Sequence, residues 1–348
     1  MSEKRQQRIA ERKTPRYALR FAVLLAAFLV IFAGSFPVGR YALSLRQIVS
    51  LIASRFVPVE PCWPAAAENV IFEIRFPRVA AAALIGAALS LAGVSYQGMF
   101  RNPMVSPDIL GASTGAGFGA AIAILLGADY FLISASSFGF GLLAVLAAYL
   151  LSRCSKTNPT LAMILSGMMI SSLFQAGTSL IKLVADTQQQ LPAITYWLMG
   201  SLSSIKIEDV KFLCIPVALG AIPLFVLSWR LNLLTVGDEE ARTLGVNTTA
   251  LRAIVVVCAT LLTAASVAVS GMIGWVGLVI PHFCRMIFGY DYRRLIPASA
   301  LFGAAYLVLV DDVARLVTTQ ELPLGILTAF VGAPIFVYLV LTGGGNRD

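Results

Sequence analysis

Apolar runs close to twenty residues long recur along the chain from Phe21 to Thr342, separated by short polar connectors. About twenty apolar residues in a helix cross roughly 30 Å of hydrocarbon. Inside a bilayer every backbone N–H and C=O must be paired within the protein, so helices and closed barrels are the available solutions. The ten-residue alternating segments of a barrel do not recur here. The sequence therefore predicts an all-α integral membrane protein. Composition agrees, with 58% hydrophobic and 13% charged residues among 348, against about a quarter charged in soluble domains.

Read in order, the runs predict ten crossings. Span 1 is Phe21–Phe36, with no small-residue cleavage site after it, so it reads as a retained span rather than a removable signal. The others are 76–98, 109–126, 132–151, 160–184, 212–229, 252–270, 275–288, 297–313 and 324–342. The segment Ile194–Gly200, after the fifth span, is too short to cross and predicts a re-entrant or surface helix with Trp197 at the interface. The domain reading is a basic tail over 1–20, one membrane domain over 21–343, and a short tail over 344–348.

The net charge of +8 lies in the tail and connectors, as membrane orientation demands, and points to no nucleic-acid partner. Lys4, Arg5, Arg8, Arg12, Lys13, Arg16 and Arg20 crowd the N-terminal tail. Arg101, Arg153, Lys156, Arg230, Arg242, Arg252, Arg285, Arg293, Arg294 and Arg347 fall on the same side in this topology. That side is predicted cytoplasmic, with both termini on it. Cys62, Cys154, Cys214, Cys258 and Cys284 are widely spaced, which predicts no disulfide and no zinc site; the last three lie in apolar runs as packing residues.

A polar interruption over residues 237–250 reads as two short capped helices. Asp238 is placed to cap the first, with Glu239 and Glu240 in the turn where a helix favours negative charge. Gly245 ends that helix and Asn247 caps a second. A compact protrusion of this kind suits docking of a partner; a solvated connector is the alternative.

Gly111, Gly115 and Gly119 form a stripe that lets another helix approach, and Gly271, Gly274 and Gly277 do the same later. Gly111-Ala112-Ser113-Thr114-Gly115 spells GxSxG, but it opens a membrane helix and the chain has one histidine, His282, so hydrolase chemistry is rejected. His282 follows Pro281 and reads as a helix–helix hydrogen-bonding residue rather than a ligand. No HExxH and no GxxxxGK[ST] is present, so the chain hydrolyses no ATP by a P-loop route. Asp311 and Asp312 stand one turn from Arg315 and read as helix-end charges reaching it at i, i+3 or i+4; a proton-coupled secondary carrier is the competing function. Ser171, Gln175, Thr178 and Lys182 share one face of the fifth span, as a water-filled path or as interhelical hydrogen bonds.

Several stretches together resemble the permease subunits of ATP-driven ABC importers for iron–siderophore complexes, haem and cobalamin. They are Arg75-Phe76-Pro77-Arg78, Gln97 with Arg101-Asn102-Pro103-Met104, Pro107-Asp108-Ile109-Leu110-Gly111, Tyr196-Trp197-Leu198-Met199-Gly200, Glu240-Ala241-Arg242-Thr243-Leu244-Gly245, Gly271 through His282, Glu321-Leu322-Pro323-Leu324-Gly325, and Gly332-Ala333-Pro334. The resemblance runs in order from about residue 70 to the C-terminus.

The resemblance implies a subunit of the bacterial inner membrane that pairs with an identical or similar permease, its path along the dimer interface. It implies two ATPase subunits docked on cytoplasmic coupling helices, here Asp238, Glu239, Glu240, Ala241, Arg242, Leu244 and Gly245. ATP and Mg would sit on those partners, and this chain would bind no cofactor and no metal of its own. It implies that Arg75, Arg78 and Arg315 meet glutamates of a substrate-binding protein, with snorkelling interfacial arginines as the alternative. Asn102 and Met104 fall in the loop that resembles the cytoplasmic gate. The expected cargo is a bulky metal chelate, ferric siderophore first, with haem and cobalamin open.

Overall fold

The computed structural model describes residues 3–343 apart from 56, 59, 61, 156, 157 and 318–320. Lys156, Arg347 and the predicted tail 344–348 lie outside the described residues.

The described residues form α-helices joined by short turns, with no strand among them. Helix α1 runs over Glu3–Gly34. A short helix α2, Leu45–Ala53, is closed by a capping box between Ser44 and Gln47. Helix α3, Ala66–Asn69, runs through a π-helical segment Val70–Arg75 into α4, Phe76–Met99. Next come α5, Ala112–Leu125, α6, Tyr130–Cys154, and α7, Pro159–Val184. Asp129 accepts from the Leu132 N–H at 2.9 Å to start α6, and Asn158 with Pro159 starts α7.

Helix α8, Gln190–Met199, occupies the predicted re-entrant segment; ten residues at 1.5 Å each extend about 15 Å, half a bilayer core. Its C-terminus is tied into the bundle, since the Gly200 carbonyl accepts from Leu324 N and Ser201 N donates to Ser270 O, both at 2.8 Å. Then follow α9, Ile207–Val226, α10, Ser228–Val236, α11, Asp238–Thr243, and α12, Thr248–Ser270. The chain closes with α13, Val276–Phe288, α14, Tyr292–Val317, and α15, Leu324–Gly343.

By length and composition six helical stretches are able to cross a membrane: Arg16–Gly34, Ala66–Met99, Tyr130–Cys154, Pro159–Val184, Ile207–Val226 and Thr248–Ser270. Helices α5 and α13 are apolar but only 14 and 13 residues long. Helix α14 has the length, 26 residues, yet carries Asp311, Asp312 and Arg315.

The core forms where small residues let helices touch. Helix α4 and helix α12 are central, each with 78% of its membrane-length window buried. A Cβ on Gly93 of α4 would overlap the Gly277 carbonyl oxygen of α13, and one on Gly86 would overlap the Gly303 carbonyl of α14. Of the predicted stripe, Gly115 and Gly119 on α5 face α6, where an added Cβ would stand 2.5 Å from the Ala144 Cβ and 2.5 Å from the Ser136 carbonyl, while Gly111, just before α5, faces Ser171 of α7. Buried hydroxyls on α12 stay satisfied locally. Thr260, Thr263, Ser266 and Ser270 each donate to the carbonyl four residues earlier, at 2.6–2.9 Å. Of the three cysteines assigned to packing, Cys258 and Cys284 are buried and Cys214 is exposed, because its face of α9 points out of the bundle.

Candidate functional site

At one end of the bundle six charged side chains from distant parts of the sequence converge. Arg78, at the start of α4, donates from Nε to both oxygens of Asp311, at 2.9 and 3.1 Å. Its Nη1 reaches Glu321, just before α15, at 2.8 and 2.9 Å. Arg315 approaches Asp311 at 3.2 Å at i, i+4 and also pairs with Asp312 at i, i+3. Ser35, at the end of α1, donates to Asp312 and accepts from Arg315 at 2.6 Å. Arg75 donates to the carbonyls of Phe36 and Tyr41 at 2.6 and 2.5 Å.

The helix-end reading of Asp311 and Asp312 therefore describes real ion pairs, but the arginine rim must be corrected. Arg75, Arg78 and Arg315 are only 4%, 5% and 7% exposed. Arg78 and Arg315 meet three carboxylates while Arg75 is held by two backbone carbonyls, so the six charges sum to zero and the arginines are turned inward rather than forming a positive face or a set of snorkelling side chains. The physical reason is desolvation: a guanidinium buried at apolar helix ends needs acceptors, carboxylates for Arg78 and Arg315 and backbone carbonyls for Arg75. Only Glu321, with 29% of its side chain exposed, keeps appreciable contact with solvent.

At the opposite end, α11 forms the protrusion. Gly237, not Asp238, occupies the N-cap position, at φ 150°, and Asp238 is the first helical residue. Asp238 is drawn instead to Arg252 on α12, at 2.9 Å, and the same guanidinium reaches Thr160 of α7 at 2.9 Å. Ala241 is fully buried against the bundle, while Glu239, Glu240, Arg242 and Leu244 face out, Leu244 at 62% exposure. Gly245 adopts the left-handed conformation, φ 79°, that ends the helix. Asn247 caps as predicted, accepting from Ala250 N at 2.9 Å, but the helix it opens is the long α12. The second short helix of this region is α10, on the other side of α11.

The loop after α4 lies at the same end. Arg101 has a positive φ of 52°, Asn102 Oδ1 accepts from Met104 N at 2.9 Å, and Met104 is 47% exposed. Beneath it Gln97 donates to the carbonyls of Val105, Gly277 and Leu278 and accepts from Arg285, which pins α4 to α13. In the GxSxG segment Ser113 donates to Asp108, whose carboxyl burial raises above the ordinary range while the Ser113 and Ser106 hydroxyls pull it back. That serine is a structural donor.

Along α7, Ser171, Thr178 and Lys182 are half-buried and Gln175 is exposed. Thr178 satisfies itself on the Phe174 carbonyl at 2.9 Å. His282 is partly exposed on α13.

Sequence reasoning missed an apolar groove of about 630 Å³ between α8, the 271–275 turn and α15, lined by Leu198, Met199, Met272, Trp275, Phe330 and neighbouring small residues. Trp275 holds φ 70°, uncommon for a bulky residue, and its ring packs on Gly332 and edge-on to Phe336 at 6.1 Å. The run of glycines before it was the available signal, since close packing there forces the turn.

The bundle has several membrane-length helices and an apolar groove, the architecture of a polytopic membrane protein. The chain belongs to the FecCD transport family, whose model matches residues 23–342. It is 41% identical over 338 residues to the molybdate import system permease protein MolB of Haemophilus influenzae, covering 96% of this chain and 98% of that one. It is 40% identical over 331 residues to a probable iron chelatin transport system permease protein of Helicobacter pylori, covering 94% and 98%. A solved inward-facing metal-chelate-type ABC transporter superposes with a TM-score of 0.84 at 40% identity, over 93% of this chain and 99% of that one. The family makes this chain a transport permease rather than a catalyst.

Proposed function

We propose that the chain is the permease subunit of an ATP-driven importer that carries ferric siderophore from a binding protein to the cytoplasm across the bacterial inner membrane. The observation that carries the cargo class is the groove. Its named lining is thioether, aromatic and aliphatic, with no cation to hold a small anion. Such a surface passes a bulky organic chelate with few specific contacts and leaves selectivity to the binding protein. Helix α15 and α8 then lie toward an identical second permease, and the polar face of α7 borders the path.

Two ATPase subunits, holding ATP and Mg, dock on α11 through Leu244 and the outward carboxylates of Glu239 and Glu240. The Asp238–Arg252–Thr160 link carries their movement into α12 and α7, and the Asn102–Met104 loop closes the inner mouth. Docking of a binding protein at Arg75, Arg78 and Arg315 proceeds by exchange: its acidic side chains replace the internal carboxylates, beginning with the accessible Glu321.

A molybdate oxyanion is the second reading, favoured by the MolB similarity. ATP-loaded vesicles holding the permease, its ATPase and its binding protein decide between them. Uptake of labelled ferric siderophore, with molybdate, haem and cobalamin not accumulated, is the expected result. Molybdate accumulation without ferric uptake overturns the chelate assignment, and transport driven by a proton gradient without ATP overturns the importer.

A further inference from the structure

A second cavity, of about 320 Å³, opens between α1 and the α13–α14 turn, at the end of the bundle that bears α11. Arg16, Arg20 and Arg294 line it together with Tyr17 and Met286. Arg20 donates to the Ile287 carbonyl in the last turn of α13. Arg294 lies over the Tyr17 ring, 5.1 Å from its centroid, and that ring packs edge-on against Phe288 at 5.8 Å. The pocket is thus walled by aromatic contacts, and the Arg20 and Arg294 guanidinium groups are held in place while Arg16 is exposed at its mouth. Among the described residues none of the three arginines forms an ion pair. Asp291, the carboxylate of the adjoining turn, accepts from Asn232 at 2.8 Å and from the Arg293 backbone N–H at 3.0 Å, and its ion pair is with the Arg293 guanidinium at 3.8 Å.

Among the described residues these three cations have no ion-pair partner, and at the end of an apolar helix they call for an anion. The contrast with the neutral six-charge cluster at the other end is direct. Arg16 and Arg20 directly precede the apolar run that begins at Phe21, so the pocket sits at headgroup depth. Arg16, Leu19, Arg20 and Val23 recur at three and four residues and share one face of α1. On that face Leu19 and Val23 are 67% and 61% exposed, and Met286 across the pocket is 68% exposed. Charge at the bottom and bare aliphatic surface directly along the helix match a phosphodiester with acyl chains attached, better than a free anion.

We propose that this pocket binds the headgroup phosphate of an anionic phospholipid, with its acyl chains lying along Leu19, Val23 and Met286. Basic pockets between membrane helices are suited to such headgroups, each arginine near the surface adding about fivefold in affinity. The inference is independent of the cargo, because it uses only the membrane placement of α1.

Native mass spectrometry of the purified full chain tests it, with dioleoyl phosphatidylglycerol and dioleoyl phosphatidylcholine supplied in equal amounts. The expected result is retention of phosphatidylglycerol in preference to phosphatidylcholine. The double variant Arg16→Gln/Arg20→Gln should lower that retention roughly 25-fold, while Arg153→Gln/Arg230→Gln, which removes two charges elsewhere, leaves it unchanged. Millimolar inorganic phosphate should not displace the lipid. Equal retention of the two lipids by the wild-type chain overturns the proposal without reference to any variant. Equal loss in both double variants, or displacement by phosphate alone, overturns the lipid site in favour of diffuse charge or a simple anion site.

Discussion

Replacing Asp311 by Asn tests the buried charge cluster at its centre. The substitution keeps shape and one hydrogen-bond acceptor but takes the cluster from neutral to +1. Asp311 is fully buried and contacts two guanidinium groups, Arg78 at 2.9 and 3.1 Å and Arg315 at 3.2 Å. Removing one partner of a buried ion pair costs about 3–5 kcal/mol, because the remaining charge is stranded away from water. With an unfolding entropy of roughly 2 cal/mol/K per residue over 348 residues, that is a drop of about 4–7 °C in unfolding temperature. Scanning fluorimetry of the chain in one detergent, with and without the substitution, reads the shift. Arg315→Met in the Asp311→Asn background restores neutrality and should recover part of it, whereas Arg315→Met alone should destabilise. If Asp311→Asn melts with the wild type, the carboxylate is solvated, and the desolvation argument for an inward, neutral cluster fails.

Gly93→Ala should destabilise by about 1–3 kcal/mol, since its methyl group has no space beside the Gly277 carbonyl; unchanged folded yield and melting temperature would refute the close α4–α13 contact. Leu244→Asp places a charge on the exposed apolar tip of α11 and should release the ATPase on co-purification, with the permease itself still folded; undiminished ATPase recovery would remove α11 from the docking surface. Gln175→Cys should react with a small water-soluble thiol reagent in at least one nucleotide state, and a thiol that stays unreactive in all states counts against a watered face on α7.

Much of the fold was legible because bilayer constraints are local. Run length and hydropathy are enough to place α6, α7 and α12 within a few residues, and Asn247 marks a helix start by a hydrogen bond to its own next turn. The protrusion at 237–250 was legible as a place and misread in detail. Asp238 has the chemistry of a cap, but Arg252 competes for it from fourteen residues away, and Gly237 takes the cap position. The GxSxG letters carried no chemistry: Ser113 is buried at the start of α5, and its hydroxyl is a structural donor to Asp108.

What the sequence determines by itself is which segments become helices, because a backbone in hydrocarbon must satisfy its hydrogen bonds within a few residues. It also identifies the glycines that permit close contact. What only the tertiary structure decides is which surfaces those contacts join and where each charge is compensated. Arg78 reads as a solvent-facing docking residue until α14 brings Asp311 to it across 233 positions of sequence. Arg16 and Arg20 read as ordinary positive-inside charge until the α13–α14 turn closes a pocket around them. Backbone satisfaction is a short-range requirement, whereas counter-charges and cavities arise only when distant helices pack.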